Sequence, residues 1–360
     1  MPTPLLRGHV PGMGDSMPSE RRAGHAPPDV QGLPQNLGTP LVVRSGTDRL
    51  ARGATPSRMV KPQRHGRTAI PGNSEGPMRF LPAGDLIRDA FEGGYAVPSF
   101  CVWNAETLDT VLRVAAACRA PVLVMAGPGE FPLVAPPLMG DLARIVAARY
   151  DVPAALHLDH GDSPACVDAC IAAGFTSVML DYSTRTFAEN VDALRRVAAR
   201  ARPLGITVEG ELGAVGFVGT AAGEGAKTST LTDPAEAKAY VEATGVDMLA
   251  VSIGNAHGIY TRRPQFDFDR LAAIREAANV PLVLHGGSGT PAEDLRRAVS
   301  LGMAKVNVAS ELLRAVRDTL REPALENLWL PVALARAMTA MAKVVEKWIA
   351  LCGAAGKAAP

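Results

Sequence analysis

The sequence predicts a (β/α)₈ TIM barrel, preceded by an extension expected to be disordered and followed by a C-terminal helix. Two observations point there. From Met78 onward, eight short apolar runs alternate with amphipathic stretches over about 250 residues, the count and length of such a barrel. His160, Asp181, Glu211, His257, His285 and Asn307 all fall where an apolar run ends, and in a barrel that is the rim on which functional side chains collect. Periodicity says nothing about closure, so a doubly wound open sheet is the rival at this point.

Residues 1–77 are rich in Pro, Gly, Arg and Ser and carry no sustained apolar period, as in Gly24-His25-Ala26-Pro27-Pro28, so they are not expected to fold alone. A chain start at Met78 would remove them, and a basic arm that binds a partner is the alternative. The barrel domain is expected over 78–360. Its strand windows are 95–102, 121–125, 154–158, 177–180, 207–211, 248–253, 281–285 and 305–308. Helical stretches follow, among them 105–118, 187–201, 234–244 and 291–301. Asp233-Pro234-Ala235-Glu236 and Thr290-Pro291-Ala292-Glu293 each place a capping residue before a proline, a helix-start signal. Residues 330–352 form an amphipathic helix stopped by Gly353, expected to pack on the barrel or on a neighbouring subunit.

A balance of 37 basic and 36 acidic residues gives no electrostatic reason to expect nucleic acid or an anionic membrane as partner. No apolar run approaches the roughly 20 residues of a membrane span, and no secretory signal is expected. Five cysteines, an odd number, fit a reducing cytoplasm. Cys166 and Cys170, four apart on an expected helix, are read as small apolar residues rather than metal ligands.

The histidines concentrate the chemistry. His157 and His160 bracket Asp159 in Leu156-His157-Leu158-Asp159-His160-Gly161, His257 precedes Gly258, and His285 opens Gly286-Gly287-Ser288-Gly289. Three imidazoles that leave one position open are the ligand set of a catalytic rather than a structural zinc. The glycine run leads toward an expected helix start near Pro291, and Ser310 is expected to cap the next helix, so that backbone N–H groups would converge on one anion.

These segments, with Val178-Met179-Leu180-Asp181, Val208-Glu209-Gly210-Glu211-Leu212-Gly213 and Lys305-Val306-Asn307-Val308-Ala309-Ser310-Glu311, resemble the class II, metal-dependent aldolases of ketose 1,6-bisphosphates. The tagatose-bisphosphate branch is the nearest, and the likeness runs from about residue 78 to 357. The resemblance implies His160, His257 and His285 as zinc ligands and Asp159 as catalytic acid/base. It implies Asp181 and Glu211 as ligands of a second metal position or of an alternative resting place of the zinc. It implies Gly258, Gly286, Gly287, Ser288, Asn307 and Ser310 as the pocket for the dihydroxyacetone phosphate half, where a monovalent cation also binds. The implied products are dihydroxyacetone phosphate and an aldehyde such as glyceraldehyde 3-phosphate. The physical reasons agree: breaking C3–C4 of a ketose leaves an enediolate that needs a Lewis acid, and the C4 hydroxyl needs a base, for which Asp159 is the acid adjacent to a ligand histidine. His157, two residues before Asp159, is given a supporting role. The partner expected is a small phosphorylated sugar, and the chain is expected to form a homo-oligomer, dimer or tetramer.

The chain also departs from that pattern. Cys101 follows Phe100 where the family carries asparagine, and Gly216-Phe217-Val218-Gly219-Thr220 replaces an acid-bearing loop, for which Glu224 is the substitute candidate. Ala309 stands where fructose-specific members have aspartate, which favours the tagatose-like side. Positions used by some members for the distal phosphate read Thr261 and Leu313, leaving Arg262, Arg263, Arg314 or Arg185 to serve, or a substrate without that phosphate. Fructose 1,6-bisphosphate or another ketose phosphate, a Schiff-base mechanism at Lys305, and a non-catalytic barrel subunit are the alternatives.

Overall fold

The computed structural model describes residues 80–218 and 230–358, so the expected extension and Glu224 lie outside the described residues. The strands are β1 (Val97–Cys101), β2 (Val122–Ala126), β3 (Ala154–Gly161), β4 (Ser177–Leu180), β5 (Thr207–Leu212), β6 (Gly216–Phe217), β7 (Met248–Val251), β8 (Ala256–His257), β9 (Leu282–Leu284) and β10 (Met303–Val308). Eight of them close a parallel barrel in the order β1-β10-β9-β7-β5-β4-β3-β2, which removes the open-sheet rival. The other two, β6 and β8, pair with each other at the rim through Gly216 with Ala256 and Phe217 with His257.

The helices are α1 (Ala83–Gly93), α2 (Ala105–Cys118), α3 (Pro136–Ala147), α4 (Pro164–Ala172), α5 (Phe187–Ala201), α6 (Pro234–Thr244), α7 (Phe268–Ala278), α8 (Ala292–Ser300), α9 (Ser310–Leu320) and α10 (Leu330–Leu351). None is long and apolar enough to cross a membrane. Helix α1 precedes the first strand and packs on β1, β3, β5 and β10, which places it across the end of the barrel opposite the histidines. Gly84 N donates to Thr207 Oγ1 there at 2.7 Å, and Leu81 N to Ala154 O at 2.8 Å. Helix α10 lies against α2 and α9 and buries Trp348 completely.

Two expected caps are absent. Asp233 does accept from the Ala235 and Glu236 amides, but Thr290 makes no cap to α8, because its own amide closes a turn onto Gly287 O at 3.0 Å and its side chain turns inward. Ser310 is the first residue of α9, with Ala309 at the capping position. The free amide of Glu311 in that first turn is taken by Ser288 Oγ at 3.2 Å, so the glycine loop caps α9 from across the barrel rim. Cys166 and Cys170 lie on α4 with free thiols.

Candidate active site and metal centre

Neighbouring residues of a strand point to opposite faces, so Asp159 and His160 cannot both face the barrel mouth from a regular β3. The strand solves this with a break. Its register against β4 shifts between Leu158 and Gly161, and His160 takes φ 45°, a left-handed conformation that a residue with a side chain adopts only where its surroundings hold it. Both side chains then reach the site. The backbone carbonyl of Asp159 passes so close to Gly127 that a β-carbon there would lie 2.2 Å from it, so the break also requires glycine at 127.

His160 Nδ1 is 2.8 Å from Asp181 Oδ2, and His160 Nε2 is 3.1 Å from His257 Nε2. His285 follows β9, with Nε2 2.8 Å from Glu209 Oε1. The ring centroids of His160 lie 4.9 Å from His257 and 4.6 Å from His285. Ligand atoms of His160, His257 and His285 fall within 4.8 Å of one another, and so do those of His160, Asp181 and Glu211. His285 Nδ1 and Glu211 Oε2 are buried 3.1 Å apart as an ion pair, so both ring nitrogens of His285 meet a carboxylate. Imidazole nitrogens and carboxylate oxygens converging this closely are the donor chemistry a divalent cation takes.

The charges favour a cation at the same point. Burial by itself would lower the pKa of His160, but Asp159, Asp181 and Glu211 outweigh it and push the imidazole up to about 10. Burial would raise Asp159, but His160, His285, Lys305 and His157 hold it at about 2, an anion at neutral pH. His157 is pushed down to about 3 by burial and by Lys305, so it stays neutral, with Nδ1 2.8 Å from Ser177 Oγ.

Beneath these residues lies a buried layer built on Glu209 and Lys305. Glu209 is fully buried and meets Lys305 Nζ at 2.9 Å as well as His285. Its carboxyl is held well below the usual range because Lys305 and His285 outweigh its burial. Lys305 Nζ also donates to Asn307 Oδ1 at 2.7 Å, and Asn307 Nδ2 to Asp159 Oδ1 at 2.8 Å. The signal was present in Glu209-Gly210-Glu211: two acids two residues apart share one strand face, and both point into the barrel.

Gly258, Gly286, Ser288, Asn307 and Ser310 line one small cavity with Asp159, His160 and His257. Gly286 takes φ 65°, and a β-carbon on it would lie 2.0 Å from Ala256 O. Gly287 does not line that cavity; its N–H is already bonded to Asn307 O at 3.0 Å. Outside the cavity, a wider cleft of about 450 Å³ runs past Cys101, Glu130, Phe217 and Leu313. Arg263 is engaged by Asp294 at 2.8 and 3.1 Å, Arg314 by Asp318 at 3.4 Å, and Arg185 lies over the Tyr182 ring. Thr261 and Arg262 are exposed, and neither residue lines the cleft.

Glu311 ties the glycine loop to α10. It accepts from Gly289 N at 2.7 Å, Lys347 Nζ at 2.9 Å and Trp348 Nε1 at 3.0 Å. Burial would raise its carboxyl, but these donors hold it below the usual carboxylate range. A depressed folded pKa stabilises above the unfolded value of about 4.3 and loses that contribution as pH falls through the folded value. Glu311→Gln is therefore expected to destabilise the fold by about 1–3 kcal/mol at pH 7, the scale of hydrogen bonds to a charged group, and the difference from wild type is expected to shrink below about pH 4. Urea titrations of both proteins at pH 7 and pH 3.5 read this directly.

Residues 82–357 match the family model "Fructose-bisphosphate aldolase class-II". The YdjI aldolase of Escherichia coli K12 is 34% identical, with TM-score 0.70 over 78% of this chain and 100% of that one. A candidate fructose-1,6-biphosphate aldolase from Coccidioides immitis is 31% identical, with TM-score 0.71 over 76% of this chain and 96% of that one. The fructose-bisphosphate aldolase of Campylobacter jejuni, at 21% identity and TM-score 0.65 over 78% of this chain and 97% of that one, shares the fold. The chain belongs to the class II fructose-bisphosphate aldolase family, and is thus an aldolase, a carbon–carbon lyase that cleaves phosphorylated ketoses.

Proposed function

We propose that this aldolase is zinc-dependent, with His160, His257 and His285 as ligands, and that it cleaves a ketose phosphate of tagatose-like configuration into dihydroxyacetone phosphate and an aldehyde. The observation that carries this reading is the meeting of three imidazoles beside an ionised carboxylate, with His285 Nδ1 and Glu211 Oε2 buried among them. Three imidazoles with a fourth position open are what a catalytic zinc takes. Asp181 orients His160 through Nδ1, and Glu209 orients His285 through Nε2, which leaves His160 Nε2 and His285 Nδ1 for the metal. Asp181 and Glu211, both within reach of His160, are the candidate ligands of a second divalent ion or of an alternative resting place for the zinc.

Zinc, when bound, supplies Lewis-acid stabilisation of the negative charge that develops on the ketose oxygens. Asp159, held by Asn307, takes the C4 hydroxyl proton as the C3–C4 bond breaks. The cavity walled by Gly258, Gly286, Ser288, Asn307 and Ser310 suits the C1 phosphate, with a monovalent cation beside it. Ala309 on the same wall supports the tagatose-like over the fructose-like configuration.

Stripping the metal with a chelator is expected to lower turnover by about 10³-fold or more, the loss of several kcal/mol of charge stabilisation, and added zinc is expected to restore it. A coupled assay for dihydroxyacetone phosphate on protein of measured metal content tests this. Full cleavage by metal-free enzyme would overturn the reading.

A further inference from the structure

We infer that Tyr260 and Asn255 are positioning residues of the metal centre, which tie the segment carrying His257 to the segment carrying His285 and so fix the spacing of two of the three imidazoles. This rests on the zinc reading given above. The three ligands do not owe their places to the same structure. His160 stands on β3 and His285 directly follows β9, so the barrel ladder places both. His257 stands on β8, a rim strand outside that ladder, and reaches the site only if the chain beyond β7 is held there.

Asn255 and Tyr260, one before β8 and one after it, supply that hold. Asn255 is buried; its Oδ1 accepts from Ile253 N at 2.8 Å and its Nδ2 donates to His285 O at 3.0 Å, so the side chain is fixed at both ends. Tyr260 Oη accepts from Ala256 N at 2.9 Å and donates to Gly286 O at 3.2 Å. The phenol thus bridges the residue before His257 to the residue after His285. Burial pushes it up to about 12, so it keeps the proton that it gives to Gly286. The two segments pass backbone against backbone: a β-carbon on Gly286 would lie 2.0 Å from Ala256 O and 2.9 Å from His257 N. Ligands held at their spacing before the ion arrives bind it without first being ordered, and groups that support ligands therefore act on metal affinity.

Zinc affinity of the full-length protein, titrated in competition with a chelating dye, tests this. Tyr260→Phe keeps the ring and removes the bridge. Its zinc dissociation constant is expected to rise by about 10–100-fold over wild type, the scale for loss of a group that supports a metal ligand. With cobalt in place of zinc, the same variant is expected to show a changed visible absorption, because that spectrum reports the geometry of the ligands. Tyr150→Phe is the control: it loses a hydroxyl that donates to Asp109 Oδ1 at 2.5 Å, on α2, and is expected to bind zinc as wild type does. Asn255→Asp keeps the acceptor for Ile253 N and loses the donor to His285 O, so it repeats the test on the second tie. Wild-type zinc affinity in either Tyr260→Phe or Asn255→Asp, or an equal loss in Tyr150→Phe, overturns the inference and leaves the zinc reading standing. A wild-type chain that binds no zinc overturns both.

Discussion

Asp159→Asn is expected to lower kcat by about 10³-fold, within the range that a positioned acid/base contributes, while the chain keeps its zinc and its fold. The substitution is nearly isosteric, and the amide oxygen still accepts from Asn307 Nδ2, which lies 2.8 Å from Asp159 Oδ1. What disappears is the ability to take a proton. His160, His257 and His285 are untouched, so zinc per chain, measured by plasma emission, is expected to stay near wild type. Loss of an anion beside His160, whose imidazole Asp159 helps to keep charged, affects affinity less than loss of a ligand would. A variant that turns over at the wild-type rate would move the proton transfer to another group. A variant that has lost its zinc would make Asp159 a support for His160 rather than the group that handles the proton.

The barrel was legible because its strands are apolar windows bounded by glycine, proline or charge, and all eight expected windows coincide with barrel strands. Helices α2, α5 and α6 run over the residues expected of them, since each starts on a strong local signal such as Asn104, Thr186 or Asp233. What escaped depends on contacts between distant segments. Strand β3 continues through Asp159 and His160 because a register break turns both toward the mouth, and an apolar count ends at Leu158. The β6–β8 pair, two residues on each side, is too short to show a period. Serine 288 caps α9 across 23 positions of sequence, where a local reading looks only to Ser310. The histidines were legible by their placement at strand ends; Glu209 was not, because its partners Lys305 and His285 lie about 100 and 80 residues away and become neighbours only on closure of the barrel.

That buried layer leads to the second large effect. Lys305→Met is expected to destabilise the protein by about 3–5 kcal/mol, because it strands the Glu209 carboxylate in a fully buried position. Glu209→Gln alone is expected to cost a similar amount by stranding the ammonium. The double variant removes both charges together, so its loss is expected to be smaller than the sum of the two by about 1–3 kcal/mol. Denaturant titrations of the three metal-free variants measure this, since metal binding would otherwise add its own stabilisation. Additive losses would mean that Lys305 and Glu209 do not depend on each other. The same pairing bears on a Schiff-base route. A nucleophilic amine must be unprotonated and reach the ketose carbonyl, whereas Lys305 Nζ is spent on Glu209 at 2.9 Å and Asn307 at 2.7 Å and lines neither the inner cavity nor the outer cleft. Borohydride added with substrate is accordingly expected to leave no adduct mass on the chain. Lysine 305 acts from below instead: it fixes Asn307, Asn307 fixes Asp159, and the charge that keeps Glu209 ionised also keeps His285 turned toward the other two imidazoles.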